Sequence, residues 1–314
     1  ADPVAESRGR VAEAHRCAAV SDPGELVGLV DAVVVAAPTC LHTDVSLPLL
    51  AAGVDLLVEK PIAADVAGAS RIVAAAERHG RIVAVGHVER FNPAWRMAAD
   101  RSGRVVAVES ARLGPFTFRS LDVGVVLDLM IHDIDLVLSL EPGRLVRVEA
   151  EGIVATGGHE DAVRARLRFS SGLVADLSAS RIHPVLSRRV SLWGTRGTGV
   201  AALNPKTVEV VAPSSAVREG SFVAAAVPAA ERGSLKDRFF TDVLPRETLA
   251  VPDANAIACE HDDFLSAVRT RRQPLVTAAS GAAALEVAAR VVDALECTRL
   301  GGEPVVRPTR CRAA

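Results

Sequence analysis

The chain has 314 residues, 49% hydrophobic and 24% charged, with a net charge of -2. That length and apolar content are enough for a sizeable core and for two domains. The near-neutral charge leaves no electrostatic footprint for nucleic acid, and no apolar run approaches the ~18 to 20 residues of a membrane span, so neither partner is expected.

Residues 1–16 are polar and read as a surface helix without an apolar leader core. Residues 31–37 form a buried-type strand broken at Pro38-Thr39, followed by a helix over 45–52 closed by Gly53. The next strand is 54–58. Asp65 then caps a helix that runs to His79 and stops at Gly80, before a third strand at 82–85. Strands alternating with helices predict a parallel sheet covered on both faces, with ligands beyond the carboxyl ends of its strands. Pro38-Thr39, Glu59-Lys60 and Gly86-His87 fall at those ends.

The second half is rich in β-forming residues. Strands are predicted at 105–113, 162–169, 172–180 and 189–193, with a hairpin turn at Phe169-Ser170-Ser171-Gly172, and their alternation suggests an antiparallel sheet. Helices are predicted at 125–140, 259–270 and 278–300. Residues 212–253 have weak periodicity and read mostly as loop or flap. The five cysteines, Cys17, Cys40, Cys259, Cys297 and Cys311, show no Cys-x-x-Cys spacing, which argues against a zinc site and a disulfide framework and fits a reducing cytoplasm.

Two constellations carry chemistry. Lys60, in Leu-Leu-Val-Glu-Lys-Pro, is one of three lysines among 36 basic residues. Lysine titrates more readily than arginine when desolvated, which suits proton transfer, although a strand-end ion pair is an equally simple reading. On the apolar helix 125–140, Asp128, His132 and Asp135 are spaced to share one face. A solvated stripe or a structural Asp-His bond is the alternative there. No second ligand pair supports a metal, so none is expected.

The ordered set Pro38-Thr39-x-x-His42, Val58-Glu59-Lys60-Pro61, Gly86-His87-x-x-Arg90-Phe91-Asn92-Pro93 and Asp128-x-x-x-His132 resembles the Gfo/Idh/MocA oxidoreductases. The likeness continues through Phe169-Ser170-Ser171-Gly172, Gly194-x-x-Gly197, Glu260-x-x-x-Phe264 and Arg272-x-Pro274, and so spans essentially the whole chain. It implies an α/β Rossmann domain, a doubly wound parallel sheet, over 1–98. An α+β domain follows over 99–314, an open-faced antiparallel sheet with helices on one face. The Gly-x-Gly-x-x-Gly turn of the family occurs nowhere in the sequence, so the Rossmann sheet is expected to be incomplete, lacking its first strand and Gly-rich loop.

The resemblance further implies NAD or NADP as cofactor and a sugar or cyclitol substrate. Removing hydride from an alcohol carbon also requires a base and a group that steadies the oxyanion. By position, His132 is the implied base, Lys60 polarises the reacting oxygen or shares the proton transfer, and Asp128 orients substrate hydroxyls or the lysine. These roles require Lys60 and His132 to approach each other. Pro38, Thr39, His42, Glu59 and Lys60 are expected along the cofactor, with His87 and Arg90 bordering its nicotinamide or the substrate. Arg112, Arg119, Arg181 and His183 are substrate candidates because strand-end cations suit phosphate or carboxylate. The runs Gly86–Pro93, Arg112–Pro115 and Asp122–Asp135 are similar to members acting on nucleotide-linked amino sugars. Inositol or free-sugar oxidation, or sugar sensing by an inactive homologue, are the other readings. Association into a homodimer or homotetramer is expected through the strands at 162–180.

Overall fold

The structure, a computed structural model, describes residues 1–302 and the backbone of 304 and 305. Two compact units are present, one of Ala1–Val88 with Ile257–Ala289, the other of Glu89–Ala256 with the described residues from 290 onward.

The first unit holds a three-stranded parallel sheet, β1 (Ala32–Val35), β2 (Asp55–Glu59) and β3 (Val83–Gly86), in that order across the sheet. Leu56, Leu57 and Val58 of the central strand are buried on both faces, which is why β2 reads as a continuous apolar run. Between β2 and β3, the Val66–His79 helix begins where the Asp65 carboxylate accepts from the Gly68 N–H at 2.7 Å. It ends at Gly80, which takes the left-handed conformation that glycine adopts at least cost. Its face of Ala69, Ile72, Ala75 and Ala76 is buried.

Two helices from late in the chain, Ala256–Thr270 and Ala278–Ala294, contribute to this first unit. Phe264 and Ala267 pack with Leu57, Ile82 and Ala84 in one apolar cluster. Gly281 sits so close to β3 that an added Cβ would lie 2.6 Å from Val85 Cγ2. Asp55 is a polar anchor beneath the sheet, accepting from Ile82 N–H and from Arg271 at 2.7 Å each. The unit is therefore discontinuous in sequence, unlike the expected division at residue 98, because the helix bearing Glu260 and Phe264 completes its core.

The second unit is built on a ten-stranded sheet. Its strands are β4 (Val105–Leu113), β5 (Leu145–Val154), β6 (Ala162–Phe169), β7 (Val174–Ser180), β8 (Ser187–Gly194), β9 (Gly197–Leu203), β10 (Lys206–Val211), β11 (Arg246–Leu249), β12 (Leu295–Arg299) and β13 (Pro304–Val305), ordered β11-β10-β9-β8-β4-β7-β6-β5-β12-β13. The sheet is mixed: β4 pairs with β7, and β5 with β12, in parallel. Most of its pairs are antiparallel, as expected, and the two parallel pairs arise because β5, β6 and β7 run back and forth to bring β7 beside β4 while β12 adds to the far side of β5. The turn joining β6 to β7 falls at Phe169–Gly172 as expected, with Gly172 at φ 90°. Along β6, Val163, Ala165, Leu167 and Phe169 point inward while Arg164, Arg166 and Arg168 are exposed.

The helix predicted over 278–300 ends at Ala294, and Leu295–Arg299 is a strand. Burial of Leu295 and Cys297 on alternating positions favours the strand, and Gly152 leaves room for it on β5, since a Cβ there would lie 3.2 Å from Cys297 Sγ. Residues 212–253, read as mostly loop, include short helices at Ser215–Arg218 and Arg232–Asp237 and the edge strand β11. The Pro93–Ser102 helix packs on β8 and β9. Gly194 and Gly199 permit its approach, because a Cβ on either would fall within 2.8 Å of the helix carbonyls of Ser102 or Ala98.

Candidate active site

The first unit carries its candidate residues at the carboxyl ends of its strands. Pro38 precedes a single turn, Thr39–Leu41, and His42 begins the helix His42–Ala51. His42 is buried, with Nδ1 2.8 Å from the Pro61 carbonyl and Nε2 2.9 Å from the Ala37 carbonyl. A neutral imidazole carries one ring N–H, which one of these two carbonyls accepts, and the buried ring lies between the end of β1 and the turn after β2. Glu59 is exposed, and its Oε2 accepts from the Lys60 N–H at 3.2 Å. Lys60 is half-buried and followed by a cis peptide to Pro61. The Glu59 carboxylate lies over Gly86, where a Cβ would meet its Oε2 at 2.9 Å. Glycine at 86 lets the Glu59 carboxylate rest against the backbone just before the buried His87.

Glu260, from the helix Ala256–Thr270, is 4% exposed, and its Oε1 has no hydrogen-bond partner among the described residues. Burial, reinforced by the nearby Glu59 charge, pushes its carboxyl up to about 8. A neutral acid therefore stands behind the strand ends at pH 7. The sequence held the signal: Glu260, Phe264 and Ala267 lie on the buried stripe of an amphipathic helix, where an acid is out of place.

In the second unit, Asp128 falls within a wide π turn, Val126–Met130, where Ile131 N–H reaches back to the Val126 carbonyl, and His132 lies in the α-helix Ile131–Leu138 that continues it. Both side chains are half-buried. Wide turns of this kind often occur at functional sites. The N-terminal end of the segment is held by Glu160, whose backbone carbonyl takes Val125 N–H at 3.1 Å and whose Oε1 takes Val126 N–H at 3.2 Å. Burial raises the Glu160 carboxyl above its ordinary range. Gly124 is required beneath it, since a Cβ would lie 1.9 Å from Oε1.

The substrate candidates separate into two kinds. Arg112 is buried and forked onto Asp133, with Nε 3.1 Å from Oδ2 and Nη2 2.9 Å from Oδ1, while its Nη1 reaches Glu89 at 2.9 Å. Burial works against its charge, but Asp133 and Glu89 outweigh that and hold its proton more tightly than usual. Arg181 is also buried, on Asp161 at 2.7 Å and on the carbonyls of Ser120 and Val123, with Phe116 5.6 Å away. Both are framework cations. Arg119 is exposed, and His183 is half-buried with Nδ1 2.7 Å from the Val185 carbonyl. Arg90 pairs with Asp135 at 2.8 Å and is likewise committed within its unit. Asp135, expected to share the face of Asp128 and His132, is instead fully buried in that pair.

A family model described as an oxidoreductase family with an NAD-binding Rossmann fold, of the GFO/IDH/MocA type, matches residues 1–87, and a GFO/IDH/MocA C-terminal domain matches 86–200. The chain is also 32% identical over 297 residues to UDP-N-acetylglucosamine 3-dehydrogenase of Acidithiobacillus ferrooxidans, covering 94% of this chain and 88% of that protein. The chain belongs to the GFO/IDH/MocA oxidoreductase family. Its likeness to other members includes myo-inositol dehydrogenase of Streptomyces leeuwenhoekii, 34% identical over 55% of this chain and 59% of that protein. A solved structure of the Acidithiobacillus enzyme superposes with a TM-score of 0.80 at 29% identity, covering 93% of this chain and 87% of that one.

As a GFO/IDH/MocA oxidoreductase, the chain is of an NAD-binding kind. The close approach at Gly86, the exposed Glu59 carboxylate and the orphaned buried oxygen of Glu260 suit the ribose and nicotinamide end of such a cofactor. Thr39, Glu59 and Lys60 are the residues that would hold it, while the Gly-x-Gly-x-x-Gly turn for a pyrophosphate is not in the sequence. No described helix is long and apolar enough to cross a membrane.

Proposed function

We propose that the chain oxidises a ring hydroxyl of a nucleotide-linked amino sugar, with C3 of UDP-N-acetylglucosamine as the first candidate. The observation that carries the chemistry is the half-buried Asp128 and His132 on an otherwise apolar helix, combined with Lys60 at the end of β2. The likeness to UDP-N-acetylglucosamine 3-dehydrogenase across 94% of the chain supports the substrate. Nicotinamide, when bound, takes up the hydride. His132 accepts the hydroxyl proton, Lys60 steadies the oxygen as charge develops, and Asp128 orients the sugar hydroxyls. Of the cationic candidates, Arg119 and His183 remain for the phosphates, because Arg112 and Arg181 are taken up by buried carboxylates.

Incubating the protein with NAD or NADP and a panel of UDP-sugars, free sugars and inositols tests this directly. Nicotinamide reduction is expected with UDP-N-acetylglucosamine above the rest. Preference for an inositol would transfer the reading to the cyclitol enzymes, which the partial likeness to myo-inositol dehydrogenase favours. Tight binding of a sugar without any turnover would replace both with a sensor.

The working form is proposed to be a cytoplasmic homodimer or homotetramer. The free thiols of Cys17 and Cys40 are exposed, as suits a reducing compartment. The outer face of the strands at 162–180, expected to carry the contact, is charged instead, with Arg164, Arg166 and Arg168 exposed and Arg166 paired with Asp176 at 2.7 Å, whereas on β8 of the same sheet Trp193 is 54% exposed opposite Ala107. Such a surface suits a flat self-contact. Light scattering at micromolar concentration is expected to give at least twice the chain mass, and Trp193→Glu to lower it; a monodisperse wild-type monomer would count against the assembly.

A further inference from the structure

The helix that carries His132 is gripped from both sides by ion pairs. Asp133, next to His132, takes the forked guanidinium of Arg112 from β4, and Asp135, two residues further, takes Arg90. Arg112 also bonds Glu89, which in turn accepts from Asn92 Nδ2 at 3.0 Å and lies 3.9 Å from Arg188 of β8. Asp133, Asp135, Glu89 and Arg112 are all below a tenth exposed. Three carboxylates and three guanidiniums thus balance beside the helix, in a setting where an unmatched charge acts strongly on its neighbours.

The Asp133 and Asp135 carboxylates come from an otherwise apolar stretch that buries Ile131, Ile134, Leu136 and Val137. Close packing of these side chains resists large displacement, and a forked arginine–carboxylate pair adds a directional constraint on register and rotation. The other charged groups around the segment are Asp128 on the segment itself and Glu160, Asp161 and Arg181 at its N-terminal end.

We infer that Arg112 and Arg90 are positioning residues for His132: through Asp133 and Asp135 they fix its helix, and by neutralising those carboxylates they set how readily His132 takes a proton. The inference rests on His132 being the base of the proposed reaction. Its sign follows from charge. Removing a guanidinium leaves net negative charge on the helix turn that bears His132 and favours the imidazolium, while removing Asp133 leaves net positive charge there and disfavours it.

The test follows the His132 ring by NMR as a function of pH, its signal assigned among the eight histidines by its loss in His132→Asn. Arg112→Met is expected to raise the His132 midpoint by about one pH unit, and Asp133→Asn to lower it by a similar amount. Arg112→Lys, which keeps the charge, is expected to stay near wild type in midpoint while lowering kcat more than it raises KM, because the fork is lost. A purely structural role would lower the melting temperature of all three without moving the midpoint in opposite directions. Should Arg112→Met fail to fold, Arg90→Gln at the more accessible pair must still raise the midpoint. Midpoints that stay put, or move the same way in Arg112→Met and Asp133→Asn, overturn the inference. Full activity of His132→Asn would instead remove the proposed role of the base and leave the titration result standing.

Discussion

Replacing His132 with Asn is expected to lower sugar oxidation by roughly 100-fold or more while cofactor affinity hardly changes. Asparagine keeps much of the shape and a hydrogen bond but cannot take a proton near pH 7, so the loss should appear in kcat. Lys60→Met should reduce turnover to a similar degree, because the developing oxyanion loses its cation. It should also weaken cofactor binding, since the variant removes a cation from the end of β2, where the cofactor is proposed to lie. Steady-state kinetics with the best substrate of the panel, paired with a cofactor titration, separates the two variants. An active His132→Asn enzyme would leave the family assignment intact and sink the mechanism.

Replacing Glu260 with Gln is expected to stabilise the protein at alkaline pH and to change it little near pH 5. The folded state keeps the Glu260 proton up to about pH 8, whereas the unfolded chain releases it near the ordinary value of 4.5. In that window the folded state binds the extra proton, so its contribution to stability falls as pH rises and levels off above about 8. The slope approaches ~1.4 kcal/mol per pH unit, a few kcal/mol across the whole window. Glutamine matches the shape without ionising, so the variant should escape this loss. Thermal melts at pH 5 should differ by only about a degree, while at pH 8.5 the variant should melt higher by on the order of 5 °C. Parallel stability–pH curves for the two proteins would show that Glu260 ionises freely in the fold. A drop in turnover of the same variant at pH 7 would further tie the buried acid to Glu59 and the cofactor end of the sheet.

Much of this was legible because local rules govern it. Asp65 and Gly80 bracket their helix with a side-chain cap and a left-handed residue, and neither needs a tertiary partner to act. The alternation of Val163, Ala165 and Leu167 with Arg164, Arg166 and Arg168 determined β6 and which of its faces would be buried. Motif order placed Lys60 at a strand end and His132 on a helix, since the spacing from apolar run to polar tip is a property of the chain itself.

What the tertiary structure alone decided is where each charge finds its partner. Arg112 and Arg181 looked like ligand contacts because arginines at strand ends suit anions, yet Asp133 and Asp161, 21 and 20 residues away along the chain, already occupy them. His42 has the residue type of a ligand contact, but its ring is buried between the carbonyls of Ala37 and Pro61. Leu295–Arg299 carried a helical pattern on from the preceding segment until β5 offered an open edge, and pairing with that edge prevailed over local propensity. The sequence by itself determined which residues bear the chemistry and on which kind of element they stand. Only the fold determined which are free to use it, because a buried charge is settled by whichever opposite charge the packing brings to it, and that choice is made over distances no local pattern records.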